Sequence, residues 1–368
     1  MMPINPGLAE ELARRPLKLA YNRVWRVYRG GYLIDELRRS PCPEDGHLPE
    51  DWAASDTLAI NEGREHLAEG LSRVVLEGGD SVPLRDLLQA APVALLGQEH
   101  AASFGSRLAL LVKLLDSCER LPIQAHPTRA FSRRHLNDRF GKTESWIVLA
   151  TRTIDGMAPY ILMGFGQRLS KDTMLDLVRR QDSPGMEQAL NKVPVKPGDM
   201  FIIRAGMPHA IGPGVFMVEV QEPTDWTVSA ELQCGDVQLS EKLAFLGLGM
   251  DLALDVFDYA GPVGQEAVES ARLSRRAGVG EHDAALIAPE DTDCFAASEL
   301  LVQGDTPDPF RGRAYSGIVV QGDGEIIHAS GRLELAQGDT FFVPASSRHE
   351  GYRSAAGMRV IASFPPRP

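Results

Sequence analysis

The sequence predicts a mainly β protein with two copies of one strand–turn–histidine unit and a helical segment between β regions. The first observation is an internal repeat, because residues 197–209 and 337–349 match at a constant offset. Each copy carries Gly-Asp, an apolar strand, a tight turn and a histidine eleven residues after the glycine. Such a repeat indicates two copies of one supersecondary unit. The second observation is a series of short strand-like runs, separated by turns, from Ile287 to Phe364.

The repeated unit resembles the second motif of the cupin family, which reads Gly-x5-Pro-x-Gly-x-x-His. The matching positions are Gly198, Gly206 and His209 in the N-terminal copy and Gly338, Pro344 and His349 in the C-terminal copy. This resemblance implies two cupin barrels, which are jelly rolls or double-stranded β-helices with metal ligands inside the barrel. We therefore expect two cupin barrels plus a helical segment.

Helical periodicity marks the segments outside the barrels. Apolar residues recur at helical spacing in 84–96 and 106–118, which predicts helices around 84–118. The segment 170–192 has the same pattern, with Ser170 as its expected N-cap. Residues 40–56 are rich in proline and acidic residues and are predicted to form a loop.

These assignments divide the chain into three parts. Residues 1–165 and 193–250 are expected to form an N-terminal metal-binding cupin domain, interrupted by a helical insertion at 166–192. Residues 251–368 are expected to form a metal-free C-terminal cupin domain, because no His-x-His or Gln-x-His pair occurs in 316–327. His349 is then interpreted as a hydrogen-bonded structural residue, and His282 and His328 are expected to be exposed without partners.

Gln124 and His126 are the first indication of a metal site. They lie two positions apart in a strand-like run, so strand alternation directs both side chains to one face. Glu144 and His209 follow, each on or beside another apolar strand. Two imidazoles, one carboxylate and one amide oxygen form a mixed shell that suits one Zn²⁺ or a similar divalent ion per chain. Because this set leaves a coordination position open, it indicates a catalytic metal.

Charge and composition restrict the partners. The net charge of −12 and the pI of about 5.3 argue against nucleic acid or an anionic membrane, because no basic excess can neutralise phosphates. No apolar run is long enough to span a membrane, and charged residues lie early in the N-terminal segment, so a cytoplasmic location is expected. The four cysteines lie far apart and predict neither a disulfide framework nor a cysteine zinc site.

Three regions together resemble the type I mannose-6-phosphate isomerase family over roughly residues 110–226. They are Lys113-Leu114-Leu115-Asp116 with Gln124-Ala125-His126-Pro127, then Gly141-Lys142-Thr143-Glu144-Ser145-Trp146, then His209-Ala210-Ile211-Gly212-Pro213-Gly214 through Glu219-Val220-Gln221. The resemblance implies a zinc-dependent enzyme that interconverts mannose 6-phosphate and fructose 6-phosphate. By the same resemblance the metal ligands are Gln124, His126, Glu144 and His209, and the catalytic residues are Lys142, Glu219 and Asp225.

The implied reaction makes sense of these residue types. An aldose–ketose isomerisation moves a proton between C2 and C1 through a cis-enediol, so it needs a base and stabilisation of the developing oxyanion. A divalent ion with an open position can polarise the sugar oxygens. Lys142, Glu219 and Asp225 all remain candidates for moving the proton. The sequence leaves the base, the native metal and the oligomeric state open.

Two departures from the family affect recognition of the sugar phosphate. Pro122 stands where family members commonly carry Ser, and Ser229 stands where they commonly carry an active-site Arg. Both missing groups would favour an anionic substrate. Four candidates for a replacement are expected in a loop between the second and third metal ligands, namely Arg129, Arg133, Arg134 and Arg139. The departures keep two alternatives open, an isomerase of another, unphosphorylated aldose and a non-catalytic, metal-containing sugar-binding cupin.

Overall fold

A computed structural model describes residues 4–367. Strands hold 35% of the residues and helices 21%, which confirms the predicted mainly β class. Over the described range, no helix is both long and apolar enough to cross a membrane.

The helices are α1 (Pro6–Leu12), α2 (Tyr32–Leu37), α3 (Leu84–Ala90), α4 (Pro92–Leu96), α5 (Gln98–Phe104), α6 (Arg129–His135), α7 (Lys171–Arg180), α8 (Ser183–Gln188), α9 (Glu241–Ala244), α10 (Met250–Ala253) and α11 (Gln265–Ala271). Short 3-10 helices occupy Glu65–Leu67 and Leu254–Val256. The strands are β1 (Leu17–Lys18), β2 (Arg23–Val24), β3 (Glu50–Ala53), β4 (Arg73–Val75), β5 (Ser81–Pro83), β6 (Leu111–Ser117), β7 (Gln124–Ala125), β8 (Glu144–Thr151), β9 (Tyr160–Phe165), β10 (Leu190–Pro194), β11 (Met200–Ile203), β12 (His209–Ile211), β13 (Val215–Gln221), β14 (Val228–Ser229), β15 (Gln233–Cys234), β16 (Val237–Gln238), β17 (Arg276–Ala277), β18 (Asp283–Ile287), β19 (Ala296–Pro307), β20 (Tyr315–Gly322), β21 (Gly324–His328), β22 (Gly331–Leu335), β23 (Thr340–Val343) and β24 (His349–Phe364).

A six-stranded antiparallel sheet, in the order β11–β8–β13–β6–β3–β2, is buried on both faces. Along β13, Phe216 and Val218 pack in a core shared with the C-terminal half, whereas Met217 packs toward a second N-terminal sheet. This follows from strand alternation, which sends successive side chains to opposite faces. The same alternation places Glu219 on the Met217 side, where it lines an internal cavity.

A five-stranded sheet, in the order β10–β9–β12–β7–β14, covers that inner face. Its residues Met163 and Ile211 belong to one apolar cluster with Trp146 and Met217 of the six-stranded sheet. Its outer face packs against helices, and the contacting residues from α7 include Met174. The N-terminal half is therefore a layered arrangement of two open sheets and a helical cover.

The C-terminal half is one nine-stranded sheet that follows the order β1–β23–β20–β24–β19–β18–β17, with β21 and β22 joined through β24. It folds around a buried aromatic interior that includes Tyr315, Phe341 and Tyr352. Strand β1 comes from the N-terminal part and pairs with β23, and residues 254–271 pack on the N-terminal sheets. The three-part division at 1–165 with 193–250, 166–192 and 251–368 therefore stays a proposal.

The internal repeat corresponds to the same strand–turn–strand unit in both halves. Strands β11 and β23 hold the apolar runs, and β12 and β24 begin at His209 and His349. His349 is hydrogen-bonded, as predicted, through its Nε2 to the Asp308 carboxylate. His282 is exposed, but the expectation for His328 was wrong, because β21 pairs on both sides and its imidazole is buried beside Ser330.

Two local predictions need correction. Residues 84–104 form helices α3, α4 and α5 as expected, but 111–117 form strand β6 instead of a helix. A strand buried on both faces is a continuous apolar run, and periodicity alone does not distinguish it from a buried helix. The predicted loop at 40–56 contains strand β3, whose acidic residues Glu50 and Asp51 are buried against basic partners. Ser170 caps α7 as expected, accepting a hydrogen bond from the backbone N–H of Thr173.

Candidate active site

The four predicted metal ligands converge between the two N-terminal sheets. Gln124 and His209 lie side by side because β7 and β12 pair with these residues in register, and their Nε2 atoms are 3.2 Å apart. Glu144 comes from the opposite sheet as the first residue of β8. Its carboxylate oxygens lie 3.1 Å from His126 Nε2 and 3.4 Å from His209 Nε2. The ligand atoms of His126, Glu144 and His209 all lie within 4.8 Å of one another.

Both imidazoles are oriented for metal binding through Nε2. The Nδ1 of His126 lies 3.0 Å from the Trp226 carbonyl, and the Nδ1 of His209 lies 2.9 Å from the Met207 carbonyl. An Nδ1–H that donates to a carbonyl leaves the lone pair on Nε2. Burial, assisted by the Lys142 charge, lowers the pKa of His126 to about 3, and burial also lowers the pKa of His209. Neutral imidazoles with a free Nε2 are the form that ligates a metal.

Lys142 occupies the space between two of these ligands. Its Nζ lies 2.6 Å from Glu144 Oε2 and 2.7 Å from His126 Nε2. Burial alone would raise the pKa of Glu144, but the Lys142 charge and the His126 imidazole hold that pKa well below its ordinary value. The ammonium is thus a stand-in cation, and it shows that the donor set favours positive charge at this point. His126, Glu144 and His209 could therefore hold a metal ion.

A glycine allows the strand that carries His209 to approach its neighbour. A Cβ added to Gly212 would lie 2.4 Å from the carbonyl oxygen of Tyr160, and real Cβ atoms do not come that close. Glycine at this position therefore lets the chain leave β12 against β9. The tight turn before β12 contains Gly206 with a φ of +93°, a conformation that favours glycine.

A cavity extends from the ligands toward the N-terminal segment. Its charged lining includes Arg26, Glu50, Lys113, Lys142, Glu219 and Asp225. Lys113 and Glu219 are register partners on β6 and β13, and their Nζ and Oε1 atoms are 2.9 Å apart. Glu50 lies 3.7 Å from Lys113 and accepts hydrogen bonds of 2.6 Å from both the Tyr28 hydroxyl and the Trp52 indole N–H. The register of the six-stranded sheet thus builds one wall of the cavity.

The buried carboxyls of this wall have opposite pKa shifts. Burial raises the pKa of Glu219, the Lys113 charge opposes that change, and the negative Glu144 adds to it. Burial also acts on Glu50, but Lys113 and Arg26 outweigh it and lower the Glu50 pKa. A raised carboxyl pKa brings a group closer to the range in which it can exchange protons. Glu219 therefore has the electrostatics of a proton-transfer group and Glu50 those of a fixed anion.

Asp225, the third predicted catalytic residue, is engaged by an arginine. Its two carboxylate oxygens accept hydrogen bonds from Arg26 at 2.8 and 3.3 Å, and it also accepts the Ile60 N–H at 2.8 Å. Burial raises the pKa of Asp225, but the Arg26 and Lys113 charges and the hydrogen bonds from Arg26 and Ile60 together outweigh burial and lower it. Asp225 thus lines the cavity as predicted, but its carboxylate is an ion-paired hydrogen-bond acceptor.

The four arginines predicted to hold a phosphate do not line this cavity. Three of them lie in helix α6 instead of a loop, because Thr128 caps that helix by accepting the Phe131 N–H. Arg129 pairs with Glu222 at 2.6 Å and with Asp293 at 3.0 Å. The others, Arg133, Arg134 and Arg139, are exposed. The expected loop was wrong for the three arginines on α6, and none of the four side chains lines the cavity.

Sequence reasoning missed four residues of the cavity wall, namely Arg26, Tyr28, Glu50 and Lys113. One signal was available for Lys113, which is the single basic residue in the buried apolar run from Leu108 to Leu115. A buried lysine needs a carboxylate partner, so its position indicated a charged cluster. The others lie in segments without a regular pattern, and only the folded chain brings them to Lys113.

Comparison with known proteins places this geometry in context. Residues 68–143 match the family described as phosphomannose isomerase type I, catalytic domain. The mannose-6-phosphate isomerase ManA of Bacillus subtilis is 30% identical over 155 residues, which are 41% of this chain and 47% of the relative. The probable mannose-6-phosphate isomerase GmuF of the same organism is 27% identical over 243 residues, which are 66% of this chain and 70% of the relative. The match to ManA thus spans about half of that protein's length.

The fold is shared over nearly the whole chain. The crystal structure of the mannose 6-phosphate isomerase from Bacillus subtilis superposes with a TM-score of 0.71 at 20% identity, covering 95% of this chain and 99% of that chain. The solved relatives have the cupin fold, which agrees with the predicted architecture. The match within residues 68–143 and the common fold together confirm the predicted resemblance, and the chain is similar to the type I phosphomannose isomerases.

Proposed function

We propose that this protein is a metal-dependent aldose–ketose isomerase that interconverts mannose 6-phosphate and fructose 6-phosphate through a cis-enediol. The observation that carries the proposal is the convergence of the His126, Glu144 and His209 ligand atoms within 4.8 Å, beside a cavity that contains Glu219. The names of the sequence relatives support the choice of sugar phosphate. A cytoplasmic location is part of the proposal.

The proposed metal is Zn²⁺, held by Gln124, His126, Glu144 and His209. Two neutral imidazoles and a carboxylate are common zinc donors, and the Gln124 amide can present its oxygen after a flip. When bound, the ion would supply Lewis acidity that polarises the oxygens on C1 and C2 of the sugar. The Lys142 ammonium lies close enough to the ligands to donate a hydrogen bond to one of those oxygens.

Glu219 is the proposed proton carrier. Its carboxylate would take the proton from C2 of the aldose while the C1–C2 double bond forms and a proton reaches O1. The same carboxyl would return its proton to C1 while the carbonyl forms at C2 and O2 loses its proton. The raised pKa of Glu219 supports this assignment over Asp225, whose pKa is lowered and whose oxygens already accept hydrogen bonds from Arg26 and Ile60.

A second candidate is an isomerase of an unphosphorylated aldose. The specific observation in its favour is that Pro122 and Ser229, the two departures from the family pattern, both line the cavity. Neither residue supplies positive charge for a phosphate group. Comparison of mannose with mannose 6-phosphate as substrates separates the two candidates, because a strong preference for the phosphorylated sugar excludes this one.

The test uses purified, zinc-loaded full-length protein and mannose 6-phosphate in D₂O, followed by proton NMR. We expect fructose 6-phosphate to accumulate and deuterium to enter C2 of the aldose, since the base exchanges its proton with solvent. Removal of the metal with a chelator should abolish both signals, and added Zn²⁺ should restore them. Absence of both turnover and exchange in metal-replete protein would refute the isomerase proposal.

A further inference from the structure

Arg26 has a special position among the arginines of the described chain. Within residues 4–367, it is the arginine that lines the cavity beside the metal ligands, whereas Arg129 and its neighbours on α6 lie outside it. The Arg26 side chain is only 17% exposed, so the guanidinium faces the interior. The other cationic groups of the lining, Lys113 and Lys142, bind carboxylates at 2.9 and 2.6 Å.

The Arg26 guanidinium is fixed before any substrate arrives. Its backbone N–H donates to the His47 carbonyl at 3.0 Å, and its carbonyl oxygen lies 2.8 Å from His47 Nδ1. Its Nη1 and Nη2 atoms donate to Asp225, and its Nε lies 3.3 Å from Glu50. Two carboxylates therefore orient the planar group, and little conformational entropy remains to be lost on binding.

A guanidinium held in this way still has donors to offer. Arginine carries five N–H groups, two on each Nη and one on Nε. Asp225 takes one from each Nη and Glu50 faces Nε, so one N–H on each Nη remains for a ligand. These two N–H groups diverge on opposite sides of the Asp225 contact, so either one can donate a charge-assisted hydrogen bond to a phosphate oxygen.

We infer that Arg26 holds the phosphate group of the sugar substrate, in the place of the arginine that the related family carries where this chain has Ser229. The inference rests on the proposed isomerase function. Ser229 and Thr227 also line the cavity, and their hydroxyl groups can donate to the same anion. The residue that recognises the phosphate thus lies in the N-terminal segment of this chain, whereas in the related family it lies at the position of strand β14. The proposed metal ligands and Glu219 have the same positions in both.

The experiment compares kcat/KM for mannose 6-phosphate and for mannose in the wild type, Arg26→Lys, Arg26→Met and the control Arg133→Met. Lysine keeps a positive charge against Asp225 and Glu50 but loses the guanidinium N–H groups that remain for a ligand, so Arg26→Lys tests the contact in a protein that retains its positive charge. Circular dichroism and bound zinc per chain verify that each variant is folded and loaded. Arg133 is exposed on α6 and serves as the matched arginine outside the cavity.

We expect both Arg26 variants to lower kcat/KM for mannose 6-phosphate at least about 10-fold, mainly through KM, because a charge-assisted hydrogen bond to the phosphate is lost. The value for mannose should change less than about threefold, and Arg133→Met should match the wild type. An Arg26→Lys protein that keeps the wild-type preference for the phosphorylated sugar overturns the inference. A wild type that converts mannose as well as mannose 6-phosphate overturns it too, but leaves the isomerase chemistry standing. A wild type that converts neither sugar overturns the proposed function itself.

Discussion

Replacing Glu50 by glutamine should destabilise the N-terminal half, although the two side chains have the same shape. Glu50 is 2% exposed and faces Lys113 at 3.7 Å and Arg26 at 3.3 Å. Its two oxygens accept hydrogen bonds from Tyr28 and Trp52. An amide carries no charge and has one oxygen, so Glu50→Gln leaves Lys113 and Arg26 with one carboxylate each, from Glu219 and Asp225. It also points an N–H group at one of the two donors.

The size of the effect follows from these contacts. Removing one partner of a buried ion pair costs about 3–5 kcal/mol when the remaining charge loses all compensation. That value is an upper limit here, because Glu219 and Asp225 still pair with the two cations. A buried donor that loses its acceptor costs about 1–3 kcal/mol, and the two terms overlap because they concern the same group. We therefore expect Glu50→Gln to lower the free energy of unfolding by about 1–3 kcal/mol at neutral pH.

Urea denaturation followed by tryptophan fluorescence measures this change, and Glu77→Gln is the control. Glu77 pairs with Arg15 at 2.7 Å but is 85% exposed, so its loss should cost less than about 1 kcal/mol. The pKa of Glu50 is lowered from its ordinary 4.5 in the folded protein, so the stability it contributes is complete above that value and is lost as the pH falls through the folded pKa. The difference between wild type and variant should shrink below pH 4.5. A Glu50→Gln protein within about 1 kcal/mol of the wild type at neutral pH would refute the reasoning.

Three further predictions concern the metal site, the base and a helix cap. His209→Ala should weaken zinc binding by more than about 100-fold, since loss of a group that only supports a ligand already costs about 10- to 100-fold. Zinc content per chain, measured by atomic emission, checks this prediction, and a variant that keeps one ion per chain would contradict it. Glu219→Gln should lower kcat by about 100- to 10,000-fold with little change in KM, and NMR rates close to the wild type would assign the proton transfer to another residue. Ser170→Ala removes the acceptor for the Thr173 N–H at the start of α7 and should cost about 1 kcal/mol; an unchanged melting temperature would show that this cap does not limit stability.

The convergence of the proposed metal ligands could be predicted because each lies in a short motif with a local geometric reason. Strand alternation relates Gln124 to His126, and the repeated unit places His209 at the start of a strand. These relations span few residues and can be read from the sequence. The one long-range feature that the site also requires is the close approach of the two N-terminal sheets. Glu144 joins them from β8 because the sheets face each other across one apolar cluster.

The cavity wall could not be predicted in the same way. Glu50 lies in a segment rich in proline and acidic residues, which is the composition of a surface loop, and it is buried only because Lys113 and Arg26 neutralise it. The failure at β6 has a related origin, since burial on both faces removes the alternation that identifies a strand. The four candidate arginines were placed near the site by sequence distance alone; three of them lie on helix α6, and none lines the cavity.

The duplicated strand–turn–histidine unit has the same backbone elements in both copies but different side chains around its histidine. In one copy the histidine that opens the strand meets the Glu144 carboxylate and the Gln124 amide, and in the other it meets Asp308 beside the hydroxyl groups of Tyr315 and Tyr352. The two copies thus share the backbone of the unit, and a few different side chains around the histidine decide whether a metal could bind. The C-terminal copy already holds an imidazole, from His349, against a carboxylate, from Asp308. Replacing Tyr315 and Tyr352 by metal-ligating residues is therefore the most direct design for a second metal site.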